Sequence, residues 1–181
     1  MTQRFETSQW VPFPVDLVFA FFANPSNLPH LMPAELDTRI DSARIQAAPV
    51  RPLASALTRH FPSVAAGAGS EIQFSFSLSW LPRRVRWTAR VTEFAWYSHF
   101  CDEQIQGPFT QFRHRHSTVA EMRDDVLGTL VTDVIDYALP LGFIGRLGSG
   151  LVRRQLALAF GHRQQRLPES LSVAARLAAY C

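Results

Sequence analysis

Apolar residues recur at every second position through most of residues 70–138. Ile72, Phe74, Phe76 and Leu78 alternate with polar or small partners across Ser70 to Trp80, and Val85, Trp87, Ala89 and Val91 do so across Val85 to Ala95. A period of two puts one face of each segment toward a core, as half-buried strands require. Tyr97 to Gln106, Phe109 to Met122 and Leu127 to Ala138 continue the run, separated by the turn-forming Gly107-Pro108 and Asp124-Asp125. Upstream, Arg4 to Val11 reads as a first strand closed by Pro12, and Glu35 to Gln46 as a second. Between those two the period changes. Pro14 suits a first helical position, and Val15, Val18, Phe19 and Phe22 then make an apolar helical stripe. Asn24-Pro25-Ser26 breaks that helix, and Ser26 is placed to cap a short second one reaching Leu31. After Pro140, Phe143, Ile144, Leu147, Leu151, Gln155 and Leu158 repeat at helical spacing to about His162, giving the longest helix. Leu167-Pro168 is expected to end it, leaving Leu171 to Tyr180 as a short amphipathic tail. Ala47 to Gly69 follows neither period, although Leu53, Leu57 and Phe61 suggest a helical face within it.

The order of these elements is one strand, two small helices, a meander of strands and a long helix. It predicts an α+β domain in which a curved antiparallel sheet of about six to seven strands wraps around the C-terminal helix and leaves a cavity between them. The stretch F-C-D-E-Q-I-Q-G-P-F-T-Q-F-R-H-R-H, Phe100 to His116, carries the chemistry. Alternation places Phe100, Asp102 and Gln104 on one face of one strand, and Phe112, His114 and His116 on one face of the next. Aromatics mixed with carboxylate, amide and imidazole suit the wall of a small-molecule pocket better than a plain core or surface. On the last strand Asp133 and Tyr137 share a face and Asp136 points the other way. If the Asp133 face is inward it adds a carboxylate and a phenol; otherwise Tyr137 packs its ring and Asp133 pairs with a neighbouring Arg.

Composition narrows the function classes. All 18 basic residues of this 181-residue chain are arginine, so lysine Schiff-base chemistry and a phosphate-loop lysine are excluded. The net charge is only +3 and the arginines are scattered, which argues against nucleic acid as a partner. Two cysteines, Cys101 and Cys181, make no disulfide framework, and Val15 to Ala23 is too short to span a bilayer, so no stable membrane insertion is expected and the cytoplasm is the expected compartment. Gly142, Gly145, Gly148 and Gly150 lack dinucleotide spacing and follow an antiparallel strand. No nucleophile motif of the G-x-S-x-G kind occurs.

P-V-D-L-V-F-A-F-F-A-N-P-S-N-L-P-H-L-M-P (Pro14 to Pro33), the Phe100 to His116 stretch and V-T-D-V-I-D-Y-A-L-P-L-G (Val131 to Gly142) resemble a bacterial branch of the helix-grip superfamily that includes START domains, polyketide cyclases and the birch-pollen allergen, known as SRPBCC. The resemblance implies a helix-grip ligand-binding domain over 1–166, with residues 47–66 as an insertion and 167–181 as a C-terminal tail. Combined with the alternation above, the expected ligand is a hydrophobic or aromatic small molecule in an internal cavity, walled by Phe74, Phe76, Trp87, Phe100 and Phe112 and fixed by Asp102, Gln104, His114, His116, Asp133 and Tyr137. A cofactor-free cyclase or dehydratase using a His/Asp pair drawn from His114, His116, Asp102 and Asp133 is the alternative, and a lipid carrier a third. His114 and His116 with Asp102, Asp133 or Glu103 have metal-ligand chemistry, but the family is not characteristically metal-dependent, so no metal and no cofactor are expected.

Overall fold

The computed structural model describes residues 2–52, 64–79, 81–140 and 142–179. Strands β1 (Gln3–Val11), β2 (Arg39–Arg44), β3 (Glu71–Phe76), β4 (Val85–Ala95), β5 (His99–Gln106), β6 (Gln111–Arg123) and β7 (Val126–Ala138) form one antiparallel sheet in the order β1-β7-β6-β5-β4-β3-β2. Sequential strands from β2 to β7 are neighbours, and β1 adds to the far side of β7. Helices α1 (Val15–Ala23) and α2 (Leu28–Leu31) follow β1, and α3 (Gly142–Ala179) is the long C-terminal helix. This is the α+β helix-grip arrangement, a curved seven-stranded sheet holding that helix.

Two apolar clusters fasten α3. Toward its C-terminal end, Leu167, Leu171 and Ala174 pack with Leu17, Val18 and Phe21 of α1, Leu31 of α2, Val11 and Val131. Further upstream on the helix, Phe160 packs with Phe5, Ile135 and Tyr137. The sheet side of both clusters comes from alternate residues of β1 and β7, whose register is unbroken over nine pairs from Gln3↔Tyr137 to Val11↔Thr129.

Four expectations from the sequence need correction. First, α3 does not end at Leu167-Pro168, so the expected tail boundary falls inside it. Proline removes the N–H that the carbonyl four residues earlier would accept. That carbonyl belongs to Gln164, and Gln9 Nε2 of β1 donates to it at 2.8 Å. Gln164 Nε2 returns bonds to Thr7 Oγ1 (2.9 Å) and Ser8 O (3.2 Å), so the orphaned acceptor becomes a tie between helix and sheet edge. Second, Leu151 and Leu158 do not face the core; both are about 60% exposed. The buried face of α3 is Leu156, Phe160, Arg163, Leu167, Leu171 and Ala174, at steps of three and four. Third, β2 starts at Arg39 rather than Glu35, because Ala34–Leu36 forms a 3-10 turn closed by Asp37 in the left-handed region (φ 41°). Asn24, not Ser26, also supplies the side-chain cap near the helices, accepting from Ser26 N at 3.1 Å. The helical face inferred from Leu53, Leu57 and Phe61 lies outside the described residues. No helix of the described residues is long and apolar enough to cross a membrane.

Candidate functional site

The β6–β7 ladder pairs Gln111↔Ala138 through Arg123↔Val126 without a shift, so strict alternation holds along both strands. His116 lies directly opposite Asp133 and Phe112 opposite Tyr137. On the other side of β6, His114 faces Asp102 and His116 faces Phe100. The expected inward set on β5, β6 and β7 is therefore brought together as neighbours on one face.

Asp133 is the hub. Its Oδ1 lies 3.0 Å from His114 Nε2 and 2.7 Å from His116 Nδ1, and it accepts from Arg163 Nη2 at 3.1 Å. The same nitrogen reaches Oδ2 at 3.1 Å. His116 Nε2 faces Asp102 Oδ1 at 3.5 Å. The Asp133 side chain is only 6% exposed, and the two imidazoles and the guanidinium are nearly as enclosed. Rings close the walls around these polar atoms. Phe100 stacks on His116 at 4.3 Å, with Phe22 also stacked against that imidazole at 6.1 Å. The two imidazoles are 3.8 Å apart, and Phe160 meets His114 edge-on at 5.6 Å. The Arg163 guanidinium covers Phe22 at 4.5 Å and Phe160 at 5.1 Å, a desolvated cation–π geometry.

Burial and neighbouring charge set the titration of this group in opposite senses. Burial, reinforced by the adjacent His116, pushes the pKa of His114 down from its ordinary value. Burial opposes the charged form of His116 too, but the carboxylates of Asp133 and Asp102 outweigh it and raise its pKa. Burial works against an ionised Asp133 as well; the charges of Arg163 and His116 and the hydrogen bonds from both imidazoles reverse that and hold it well below the usual carboxylate range. Near neutral pH the arrangement is a fixed carboxylate, a guanidinium, a neutral imidazole and a more basic one. A carboxylate only accepts, so neutral His114 carries its proton on Nε2 and leaves Nδ1 as a lone-pair acceptor.

The other expected residues divide. Phe74, Phe76, Trp87 and Phe112 form a continuous aromatic line, with Phe74 stacked on Phe76 (6.5 Å) and Trp87 (5.7 Å), and Trp87 edge-on to Phe112 at 4.7 Å. Phe112 in turn meets His114 at 6.5 Å. Gln104 is not a free fixing point: its amide clasps the β5–β6 turn, donating to Phe109 O (2.8 Å) and accepting from Phe109 N (3.2 Å). The Tyr137 hydroxyl bonds Gln3 Oε1 at 3.1 Å while its ring packs in the core, so Asp133 is directed inward and the phenol is already engaged. Cys101, on the opposite face from Asp102, is buried, and burial pushes its thiol up to about 11, which favours the thiol over the thiolate near neutral pH.

Strand alternation does not find Arg163 or its ring partners Phe22 and Phe160. The signal lies in the helix, where Arg163 occupies a core-facing position of the Leu156, Phe160, Leu167, Leu171 stripe; a charge on an apolar stripe needs a buried partner. Asp102, His114 and His116 offer atoms within 4.8 Å of one another, the spacing a metal ion needs. The Arg163 guanidinium, 3.5 Å from His116 Nδ1, already supplies a cation at that place, which disfavours a second. A separate polar groove of about 920 Å³ lies over β2–β4, bordered by Arg39, Asp41, Arg83, Arg84 and Arg86 together with Phe74 and Trp87. It contains none of the Asp133 group.

The fold is shared with solved structures at low sequence identity. A protein of Thermus thermophilus matches with a TM-score of 0.59 and 16% identity over 95% of this chain and 99% of that one. A START superfamily protein from Mycobacterium smegmatis gives 0.60 and 14% over 93% and 97%. Norcoclaurine synthase from Thalictrum flavum, solved with dopamine and hydroxybenzaldehyde, gives 0.58 and 12% over 92% and 86%. No curated protein matches the chain in sequence. The family model for polyketide cyclase / dehydrase and lipid transport matches residues 11–160, and the chain belongs to that family.

Proposed function

We propose that the protein binds a hydrophobic or aromatic small molecule bearing a few hydrogen-bonding oxygens, in the space between the sheet and α3. Family and fold fit hydrophobic-ligand binding or cyclase-like activity. The observation that carries the binding reading is the Asp133–His114–His116–Arg163 group itself. Several titratable side chains are held in fixed geometry within a wall of aromatic rings, as a pocket with a few oriented polar groups requires. Native mass spectrometry of the purified chain, followed by denaturing extraction, tests it. A co-purifying aromatic or lipid metabolite supports the reading and gives the chemical class. An empty protein that also shows no thermal shift with an aromatic, polyketide and lipid panel overturns it.

A second reading rests on the opposed shifts of the two imidazoles on one carboxylate. A neutral His114 with a free Nδ1 beside a more basic His116 is an acid–base pair, the requirement of a cofactor-free cyclase or dehydratase. His114→Ala separates the two. For an enzyme, turnover of a bound polyketide is lost while affinity stays within a few-fold. For a binder, only affinity changes.

A further inference from the structure

Arg163 donates less than it has to give. Its hydrogen bonds among the described residues leave from Nη2 to Asp133, while His116 Nδ1, itself a donor to that carboxylate, lies 3.5 Å away. Nε and Nη1 have no protein acceptor there, although the side chain is only 11% exposed. The remaining 11% of its side-chain surface is open. The guanidinium lies over the Phe22 and Phe160 rings, so a ligand that reaches its unpaired N–H groups would also meet those rings. A mostly buried guanidinium is costly to maintain unless its donors meet acceptors. Asp133 satisfies only part of it, and that one carboxylate also serves both imidazoles at 3.0 Å or less. Asp102 is further from His116, at 3.5 Å, and more exposed. Close to Asp133, acceptor oxygens are thus fewer than the donors converging on them. Arg, rather than Lys, is the side chain whose planar fork can hold a structural carboxylate on one nitrogen and a ligand oxygen on another.

We propose that the Nε–H and Nη1–H groups of Arg163 anchor the ligand, and that they select an aromatic monoanion whose carboxylate or phenolate oxygen lies against the guanidinium. This rests on the binding reading above and specifies its ligand class. The aromatic body then lies along the rings around Phe22 and Phe160, and the acidic oxygen completes the hydrogen bonding that Asp133 leaves unfinished.

The test uses two probes of one shape, 2-naphthoate and 2-acetonaphthone, which differ in carrying a carboxylate or a neutral methyl ketone. Calorimetric titration of the full chain at neutral pH is expected to show 2-naphthoate binding about tenfold or more tightly, the order of one charge-assisted hydrogen bond. Arg163→Gln is expected to erase that preference while leaving 2-acetonaphthone affinity within a few-fold, and Arg163→Lys to retain part of it. If removing Arg163 unfolds the chain, the arginine Nε–H resonances of the wild type report instead: one signal shifts on adding 2-naphthoate and stays put with 2-acetonaphthone. Equal affinity for the two probes overturns the anchor and leaves a neutral-ligand pocket standing. A preference that survives in a folded Arg163→Gln variant overturns it as well. Binding of neither probe counts against the pocket itself, an outcome distinct from both.

Discussion

Strand β6 carries the sequence Arg113-His114-Arg115-His116, and its two faces run the same design in different media. On one face, Arg113 and Arg115 converge on Glu93, with Arg113 Nη2 at 2.7 Å from Oε1 and His99 Nε2 at 3.6 Å from Oε2. On the other, His114 and His116 converge on Asp133 and Arg163 crosses from α3 to join them. Each hub is one carboxylate gathering two basic residues spaced two apart. The Glu93 side chain is 39% exposed and the Asp133 side chain 6%. Geometry alone, then, does not make a site. In water the charges of the Glu93 hub are solvated whether or not they pair, whereas around Asp133 a charge that loses its partner finds little solvent to replace it. Both carboxyls are held low, but for Glu93 the hydrogen bond from Arg113 dominates, while Asp133 must first overcome its own burial.

Removing each hub tests this contrast most directly. Asp133→Asn leaves Arg163 enclosed without its counter-charge and His116 with only Asp102, at 3.5 Å, and the expected cost is about 3–5 kcal/mol of folding stability. Urea denaturation at neutral pH measures it. A loss below about 1 kcal/mol, the ordinary value of an exposed pair, means the interior admits enough water to solvate the group, and the contrast with Glu93 then disappears.

Much of this interior is legible in the sequence because β6 and β7 pair without a bulge, so a period of two carries Phe112, His114, His116 and Asp133 to one face. Where ladders shift, alternation is a weaker guide: β4 and β5 slip between Thr88 and Ala89 and again between Val91 and Glu93. The helix is harder to read. Arg163 and Pro168 interrupt the apolar stripe of α3, so the sequence pattern favours the exposed Leu151 and Leu158 over the buried Leu156, Phe160 and Leu167. Both interruptions are answered from other elements, Arg163 by Asp133 on β7 and Pro168 by Gln9 on β1. Such long-range compensation has no local signature. Gln104 and Tyr137 show the reverse limit, since alternation gives a face but not the competing partners, Phe109 and Gln3, that occupy their polar atoms.

The two imidazoles extend the contrast through pH. His116 has its pKa raised in the folded state, so it contributes stability that is complete below the unfolded histidine value of 6.5 and is lost as pH rises through the folded value. For His114, lowered chiefly by burial, the sign reverses. Its contribution is complete above 6.5 and is lost as pH falls toward the folded value. His116→Gln is therefore expected to cost more at acidic than at alkaline pH, and His114→Gln more at alkaline than at acidic pH. Thermal unfolding of both variants on each side of 6.5 decides this, and parallel shifts in the two would remove the acid–base asymmetry on which the catalytic reading depends. His99, beside the Glu93 hub, is lowered by burial and by Arg115, so it is a less suitable exposed control than a substitution of Glu93.

The mildest of these substitutions isolates the medium itself. Glu93→Gln leaves Arg113 and Arg115 facing water, with Glu103 still 3.5 Å from Arg113, and the predicted cost is under about 1 kcal/mol. Because those charges are open to solvent, that small difference shrinks further as salt is raised to about 1 M, where the screening length falls to about 3 Å. The Asp133→Asn penalty has no such route for relief, since bulk salt does not screen charges enclosed between His114, His116 and Arg163, and it should persist at the same salt. Paired urea titrations of both variants at low and high salt separate the two behaviours. Equal salt sensitivity would show the Asp133 group to be as accessible as Glu93, and the lowering of His114, which depends on burial, could not then be maintained.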